Sequence, residues 1–253
     1  MKKIFYAIAI MCLAAVAVSS CKKEDPKIQK RLTMCGDEWD KYYFEYDANG
    51  FISAVKRNPS NEAGWGGYER IWTFTWNGNT ANVTYMKEGE QQAPLTFVFG
   101  ANGYVQTFTD TWGDVRKFTY DLEGHMLKVI KTEDGQDFVK CNYVWENGNL
   151  KKWSRFPDGI EEFKNQSFLN EENVGGIYPD ATDKAGIDRW MIELGFFGKP
   201  SKQLLDQAAW ANSESIATHT YTKDADGFVT KVEKFYDGEL DQTYEYVWQT
   251  LVK

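Results

Sequence analysis

Positive charge is the first shortage. The chain has 253 residues, with 29 Lys and Arg against 37 Asp and Glu, a net charge of −8 and a pI near 5.0. Phosphate backbones are bound by basic faces, so a nucleic-acid partner is excluded. Histidine is scarcer still: His125 and His219 are the only two, and no Cys/His cluster has zinc-ligand spacing. A Gly-x-Ser-x-Gly elbow, a His-Glu-x-x-His helix and a phosphate loop are all absent. The helix formers Ala and Leu are thin outside the first 20 residues, which argues against an all-helical fold.

Aromatic residues are what the chain has in quantity: 16 Phe, 14 Tyr and 10 Trp, or 16% of the total. A chain this apolar and aromatic is too rich in core-forming residues for disorder. Aromatics also favour strands and sheet cores.

The N-terminus reads as an address. Lys2 and Lys3 precede an apolar run from Ile4 to Val18, long enough for a signal-peptide core and shorter than the roughly 20 residues of a membrane span. It ends Val18-Ser19-Ser20-Cys21. Small residues ahead of a cysteine resemble the lipobox of bacterial lipoproteins, which implies a signal peptide over 1–20 and lipid on Cys21. Loss of residues 1–20 removes two lysines and no acid, taking the net charge from −8 to −10 over the remaining 233 residues. A single acyl chain anchors only marginally, whereas several on one cysteine hold firmly. Lys22-Lys23-Glu24-Asp25 follows, and a lysine before two acids resembles the export signal that sends Bacteroidetes lipoproteins to the outer face of the outer membrane. Residues 21–37 are then a lipidated tether, and the membrane is a partner through Cys21. With Cys12 in the signal peptide, Cys35 and Cys141 remain. In an oxidising compartment they could pair, and two separate buried thiols is the favoured reading.

From Glu38 onward the sequence reads as a run of hairpins. Turns recur as DANG (47–50), NGN (77–79), GANG (100–103), DLEG (121–124), ENGN (146–149) and DADG (224–227). Gly and Asn tolerate positive φ, and Asp and Asn side chains bond their own backbone, so each is a hairpin turn with a mechanism. The turn glycines from Gly50 to Gly148 lie 21 to 28 residues apart, which predicts an internal repeat of two strands and two turns. Aromatics occupy every second position before the turns, as in Tyr42/Phe44/Tyr46, Trp72/Phe74/Trp76, Phe118/Tyr120, Tyr143/Trp145 and Tyr244/Tyr246/Trp248. A period of two with one apolar face predicts antiparallel strands packed on one side. The fold class expected is mainly all-β: hairpins rolled into a large curved sheet or closed as a barrel, which would remove exposed edges.

One segment, 168–212, breaks the pattern. Ile187, Trp190, Met191 and Leu194 form a helical stripe, with Asp183 as the expected N-cap and Gly195 or Gly198 before Pro200 as the stop. A second stretch, from Ser201 to Ala209, is also expected to be helical, giving a helical insertion near 183–209. It would either plug the rolled sheet or pack outside it. Residues 38–253 otherwise form one domain.

The hairpins, the segment FFGKPSKQLL (196–205) and the hairpin YTKDADGFVTKV (221–232) resemble a family of Bacteroidetes lipoproteins. That family is a domain of unknown function with a porin-like fold, built from YD-type β-hairpin repeats. The resemblance covers roughly residues 38–250, and GKPSKQL is its most specific piece. It implies a rolled antiparallel sheet and no activity, so no catalytic residue is carried over. A barrel anchored through Cys21 has no need to insert, and QTLVK (249–253) lacks the terminal aromatic of outer-membrane barrels. The expectation is a soluble, side-chain-filled barrel or curved sheet.

Three functions are weighed. The first is a surface lipoprotein without enzymatic activity. The second is a glycan-binding module using Trp65 in EAGWGGYE (62–69) and Trp112 in TDTWGDV (109–115), because aromatic platforms flanked by carboxylates suit sugar rings. The third is a glycoside hydrolase-like enzyme, which requires two carboxylates about 5 to 9 Å apart; Glu161, Glu162, Asp180 and Asp183 are available. A glycan or a surface protein is the candidate partner, and no cofactor is expected. Asp224, Asp226, Gly227 and Glu233 match positions 3, 5, 6 and 12 of a calcium loop, but Thr222 stands at position 1 and the sister turns carry Lys56 and Ile130 at position 12. No metal site is therefore assigned.

Overall fold

A computed structural model describes residues 29–59, 69–156, 161–179, 187–210 and 213–251. Among these residues seventeen strands are formed. The first nine are β1 (Lys30–Gly36), β2 (Asp40–Tyr46), β3 (Ile52–Pro59), β4 (Arg70–Asn77), β5 (Thr80–Lys87), β6 (Glu90–Gln91), β7 (Leu95–Phe99), β8 (Val105–Thr109) and β9 (Val115–Tyr120). Then come β10 (Met126–Glu133), β11 (Gln136–Glu146), β12 (Asn149–Arg155), β13 (Glu161–Glu172), β14 (Gln203–Trp210), β15 (Ala217–Lys223), β16 (Val229–Tyr236) and β17 (Glu239–Thr250). One helix, α1 (Arg189–Glu193), lies between β13 and β14.

Every neighbouring pair is antiparallel. β5 pairs with β7, while the two-residue β6 pairs with β5 beside the ring. β17 returns to β1, from Lys30 opposite Thr250 to Gly36 opposite Glu245. The result is a closed barrel of sixteen strands. An all-antiparallel ring closes only with an even number, because direction alternates at each step. Closure leaves each of the sixteen ring strands paired on both sides among the described residues.

The turns form as their residues dictate. Asp47 Oδ1 accepts the N–H groups of Asn49 and Phe51, both at 2.9 Å, and Asp224 Oδ1 those of Asp226 and Phe228, both at 3.0 Å. The glycine closing each turn has φ +86° (Gly50 and Gly227), which a side chain rarely adopts.

Alternation sets the faces. On β4, Trp72 and Phe74 are buried and Thr73 and Thr75 exposed; on β5, Ala81 and Val83 are buried and Asn82 and Thr84 exposed; on β17, Tyr244 and Tyr246 are buried around an exposed Glu245. On β4 and β5 the apolar face points inward and the polar face outward, the reverse of a membrane-spanning barrel with its lipid-facing apolar band, while β2, β11 and β17 also expose Tyr43, Val144 and Val247.

The segment between β13 and β14 enters the barrel. Ile177, Ile187, Trp190, Met191 and Phe197 are all buried. The Trp190 ring lies 5.1 Å from Trp72 and 6.0 Å edge-on from Phe74. Phe196 meets Phe97 and Phe99 at 5.7 and 5.2 Å, and Phe197 meets Phe118 at 4.7 Å. Of the two placements expected for this segment, the plug is the one found. An ion pair holds it: Arg189 Nη2 donates to Glu193 Oε1 and to the Tyr246 hydroxyl, both at 2.9 Å, and its guanidinium lies 3.6 Å from the Tyr244 ring centre. Burial pushes the Glu193 carboxyl above its ordinary value, against the opposing pull of Arg189.

Three expectations are corrected. The stretch from Ser201 to Ala209 is not helical, since Gln203–Trp210 is strand β14, paired with β13 and β15. Its adjacent apolar pairs imitate helical spacing because both strand faces are buried: Leu204 joins the main core, while Leu205 and Ala208 join a smaller cluster with Trp153 and Phe163. The insertion read over 168–212 therefore contracts to the span between β13 and β14, and α1 has five residues with Asp188 at its N-cap; Asp183 lies outside the described residues. The tether read as ending at residue 37 gives way at Lys30, where β1 begins and completes the ring. Cys35 and Cys141 are separate buried thiols.

Trp190 is fully buried at the centre of this packing, so Trp190→Ala is expected to cost about 3–5 kcal/mol, whereas the outward Thr75→Ala should change stability by less than about 0.5 kcal/mol. Urea unfolding of both variants checks this, and equal effects would contradict a packed plug.

Candidate functional site

One contact recurs around the barrel. The last inward aromatic of a strand donates its polar tip to a backbone carbonyl of the preceding strand: Tyr46 to Leu32 (2.7 Å), Trp76 to Ile52 (2.8 Å), Tyr120 to Val105 (2.5 Å), Trp145 to Met126 (2.8 Å), Tyr221 to Leu205 (2.6 Å) and Trp248 to Val229 (2.7 Å). Ile52, Val105, Met126 and Val229 each sit two residues after a turn glycine. A buried Tyr or Trp needs such a partner for its O–H or N–H.

Leu150 also sits two residues after a turn glycine, Gly148, but its carbonyl accepts from an asparagine. Asn165 Nδ2 donates to Leu150 O at 2.6 Å, from β13 to β12. Asn165 is 4% exposed. A carbonyl only accepts, so the amide must present its NH₂ to Leu150, and Oδ1 then has no hydrogen-bond partner among the described residues. A buried acceptor left unpaired costs about 1–3 kcal/mol.

A cavity of about 90 Å³ opens beside it, between the plug and the wall from β10 to β14. Tyr143, Trp145, Trp153 and Phe197 give it aromatic walls, with Asn165 and Gln203 among its polar groups. The Gln203 Oε1 accepts from Asn149 Nδ2 at 2.8 Å, leaving its NH₂ as a donor. Ser201 Oγ, also on the lining, accepts the Leu150 N–H at 2.9 Å, leaving its O–H. Burial holds the Tyr143 phenol well above its ordinary pKa, so it is neutral at physiological pH. Among the described residues, none on the lining is Asp or Glu.

The residues singled out from the sequence lie elsewhere. Cys21, Trp65, Asp180 and Asp183 are outside the described residues. Trp112 stands 85% exposed at the β8–β9 turn, and the nearby Asp110 is committed to the Trp112 and Asp114 N–H groups and to Arg116 at 2.8 Å. Glu162 pairs with Lys152 and Lys164 at 2.7 and 3.2 Å. His125 is buried, with Nδ1 2.9 Å from Asp121 Oδ2 and its ring stacked 4.4 Å from Trp145. His219 is likewise buried, its Nδ1 3.3 Å from the Asp206 carbonyl. In the calcium-like loop, Lys30 Nζ sits 2.7 Å from Asp224 and 2.5 Å from Asp226, so an ammonium stands where the metal would. The cavity escaped the sequence reading. Its one legible signal is that the strand after Leu150 carries Phe163 and Phe168 but neither Tyr nor Trp.

Two outcomes follow from the turns. Burial pushes the Asp224 carboxyl up, but Lys30 and the N–H groups of Phe228 and Asp226 outweigh it, and the pKa falls below the ordinary value. A depressed carboxyl stabilises fully above its unfolded pKa of about 3.9 and loses that contribution as pH falls through the folded value. Asp224→Asn should therefore lower the Tm at pH 7 and approach the unsubstituted chain near pH 2, in thermal scans across that range. A deficit independent of pH would contradict the ion pair as the cause. Trp112→Ala should shift stability by no more than about 0.5 kcal/mol in the same scans, and a larger loss would mean the ring packs on the barrel.

No protein-family model matches the chain, and no curated protein matches it. Among solved structures it is similar to a porin-like protein from Bacteroides uniformis, at 19% identity and a TM-score of 0.67, covering 88% of this chain and 98% of that one. It is also similar to a porin-like protein from Bacteroides vulgatus, at 13% identity and a TM-score of 0.52, covering 87% and 99%. At these identities the likeness establishes the fold alone: a porin-like barrel.

Proposed function

We propose that this protein is a lipoprotein, held at the outer membrane by lipid on Cys21 and displayed on the cell surface, where it acts without catalysis. The observation that carries the reading is the polar outer face of β4 and β5, with Thr73, Thr75, Asn82 and Thr84 facing out over an apolar, plugged interior. Such a barrel is at home in water and needs a separate attachment to stay at a membrane. The sequence Val18-Ser19-Ser20-Cys21 supplies one, and Lys22-Lys23-Glu24-Asp25 supplies the surface address. The porin-like neighbours from Bacteroides fit that setting.

A non-catalytic role fits the commitments of the described acids: Glu162, one of the carboxylates weighed for hydrolysis, is paired with Lys152 and Lys164. The buried charged groups are also spoken for, Arg116 by Asp110 and Arg189 by Glu193.

Cys21→Ala is expected to abolish incorporation of an alkyne-labelled fatty acid and to release the protein from the membrane fraction. Replacing Lys23, Glu24 and Asp25 by Ala should keep the lipid label but protect the chain from protease added to intact cells. Retained label in Cys21→Ala would overturn the anchor, and unchanged protease sensitivity in the triple variant would overturn the address.

A further inference from the structure

The two ends of the barrel differ in charge. The chain enters β1 at Lys30 and leaves β17 at Thr250 at one end, and the turns after β2, β4, β7, β9, β11 and β15 lie at that same end. The first residue at the tip of each is uncharged: Ala48, Gly78, Ala101, Leu122, Asn147 and Ala225. Asp47, Asp121 and Asp224 beside them turn their carboxylates onto the N–H groups of their own turns. Lys30 sits 2.5 Å from Asp226, and Glu123 keeps its charge in solvent. At the opposite end the described turns lead with acids, Glu38 after β1, Glu88 after β5, Asp134 after β10 and Asp237 after β16. Two large apolar side chains stand out on the uncharged end. Leu122 is fully exposed at its turn tip, and Phe51, closing the turn after β2, is 53% exposed. Trp39 and Trp112 are exposed at the acidic end, but each lies between acids in sequence, Glu38 and Asp40 for one, Asp110 and Asp114 for the other.

We infer that the uncharged end is a lipid-docking surface: the barrel stands on the bilayer with Leu122 and Phe51 in the lipid interface and its acidic turns pointing away. The inference rests on the Cys21 anchor proposed above and adds which face meets the lipid. Three arguments choose that occupant. The first is reach. Gln29 lies eight residues from Cys21, a span of at most about 28 Å. The twelve residues of β17, tilted as ring strands are, cover about 30 Å of the barrel's length. A lipid on Cys21 therefore holds the uncharged end near the bilayer, and the acidic end stays beyond its reach. The second is charge. Anionic headgroups repel the acidic turns and are indifferent to alanine, glycine and asparagine. The third is area. Two turn tips fall far short of the roughly 800 Å² per partner of a stable protein interface, so a second copy is a poor occupant. They are also too little to hold a free protein on a membrane. Acyl chains on Cys21 keep them at the surface, where a weak contact becomes effectively intramolecular. The entry and exit of the plug then face the lipid, and Trp112 faces away from the membrane.

The test uses the full lipidated chain in vesicles of phosphatidylethanolamine and phosphatidylglycerol. Cys35 and Cys141 are buried and Cys21 is blocked by its lipid, so a single introduced cysteine takes a fluorescent label. Leu122→Cys and Phe51→Cys place the label on the docking end, Val247→Cys on the wall and Trp112→Cys at the acidic end. Labels replacing Leu122 and Phe51 should be quenched by spin-labelled lipid and be severalfold less open to aqueous iodide than the label replacing Trp112. The label replacing Val247 should be as open as that replacing Trp112. Flotation with the vesicles is read on the same samples. A chain that floats with all four labels equally open to iodide would leave the anchor standing and overturn the docking face. Shielding of the wall label alone would mean that the barrel lies on its side, and shielding of the label replacing Trp112 that it is inverted; either overturns the assignment. A chain that does not float would overturn the anchor, and the docking face with it. In the chain labelled at Phe51→Cys, adding Leu122→Asp should reopen that label to iodide with flotation unchanged, and shielding that persists would overturn the role of Leu122.

Discussion

A ring of sixteen strands encloses more space than the side chains of its own wall can fill. Rings of that size leave an aqueous channel when the lumen is polar. Here the wall turns its aromatics inward, and an empty apolar lumen would leave rows of Trp, Phe and Tyr without contacts. The segment between β13 and β14 resolves the problem by entering the ring, so that Trp190 meets Trp72 and Phe74 while Phe196 and Phe197 meet the aromatics of β7 and β9. Wall and plug are thus one core. Neither has a reason to hold its shape without the other.

The plug also brings charge into that core. Arg189 and Glu193 lie one helical turn apart and face the Tyr246 hydroxyl, with Tyr244 beneath the guanidinium. Removing one partner of a buried pair costs about 3–5 kcal/mol, whereas replacing both by apolar groups is often neutral. The pair is therefore poor as a source of stability and good as a register mark. Apolar packing alone would tolerate a plug rotated or shifted along the lumen. The contacts that fix its position are those the pair makes across to Tyr244 and Tyr246 of β17.

Much of the wall was legible in the sequence because its signals are local. Asp47 and Gly50, or Asp224 and Gly227, make a turn with four residues of their own, and the alternation of Trp72, Thr73, Phe74 and Thr75 states which face is inside. Closure was only half legible. Strand count limits whether a ring can close, but β1, which completes it, lay in a stretch read as tether because its alternation is weak. The plug was legible as a break in pattern and misread in β14, where Leu204, Leu205, Ala208 and Ala209 sit at helical spacing because both strand faces find a core. The site was not legible at all by the usual signs. Trp112 drew attention by standing out in its loop, but it lies alone and exposed. Asn165 is unremarkable in sequence, and its meaning appears only when its bond to Leu150 is set beside those of Trp76, Tyr120, Trp145 and Trp248.

The attachment of the plug also explains why the cavity keeps its shape. Its lining comes from strands and from the two ends of the plug, and those ends are stitched to the wall. The Asn173 amide donates to the carbonyls of Ile177 and Ser201, Lys202 N–H bonds to Gly148, and Gln203 N–H bonds to Asn149 Oδ1. The groups that shape the cavity are the same groups that hold the plug's entry and exit, so they are fixed with it. A tryptophan on a turn tip offers a surface without that support.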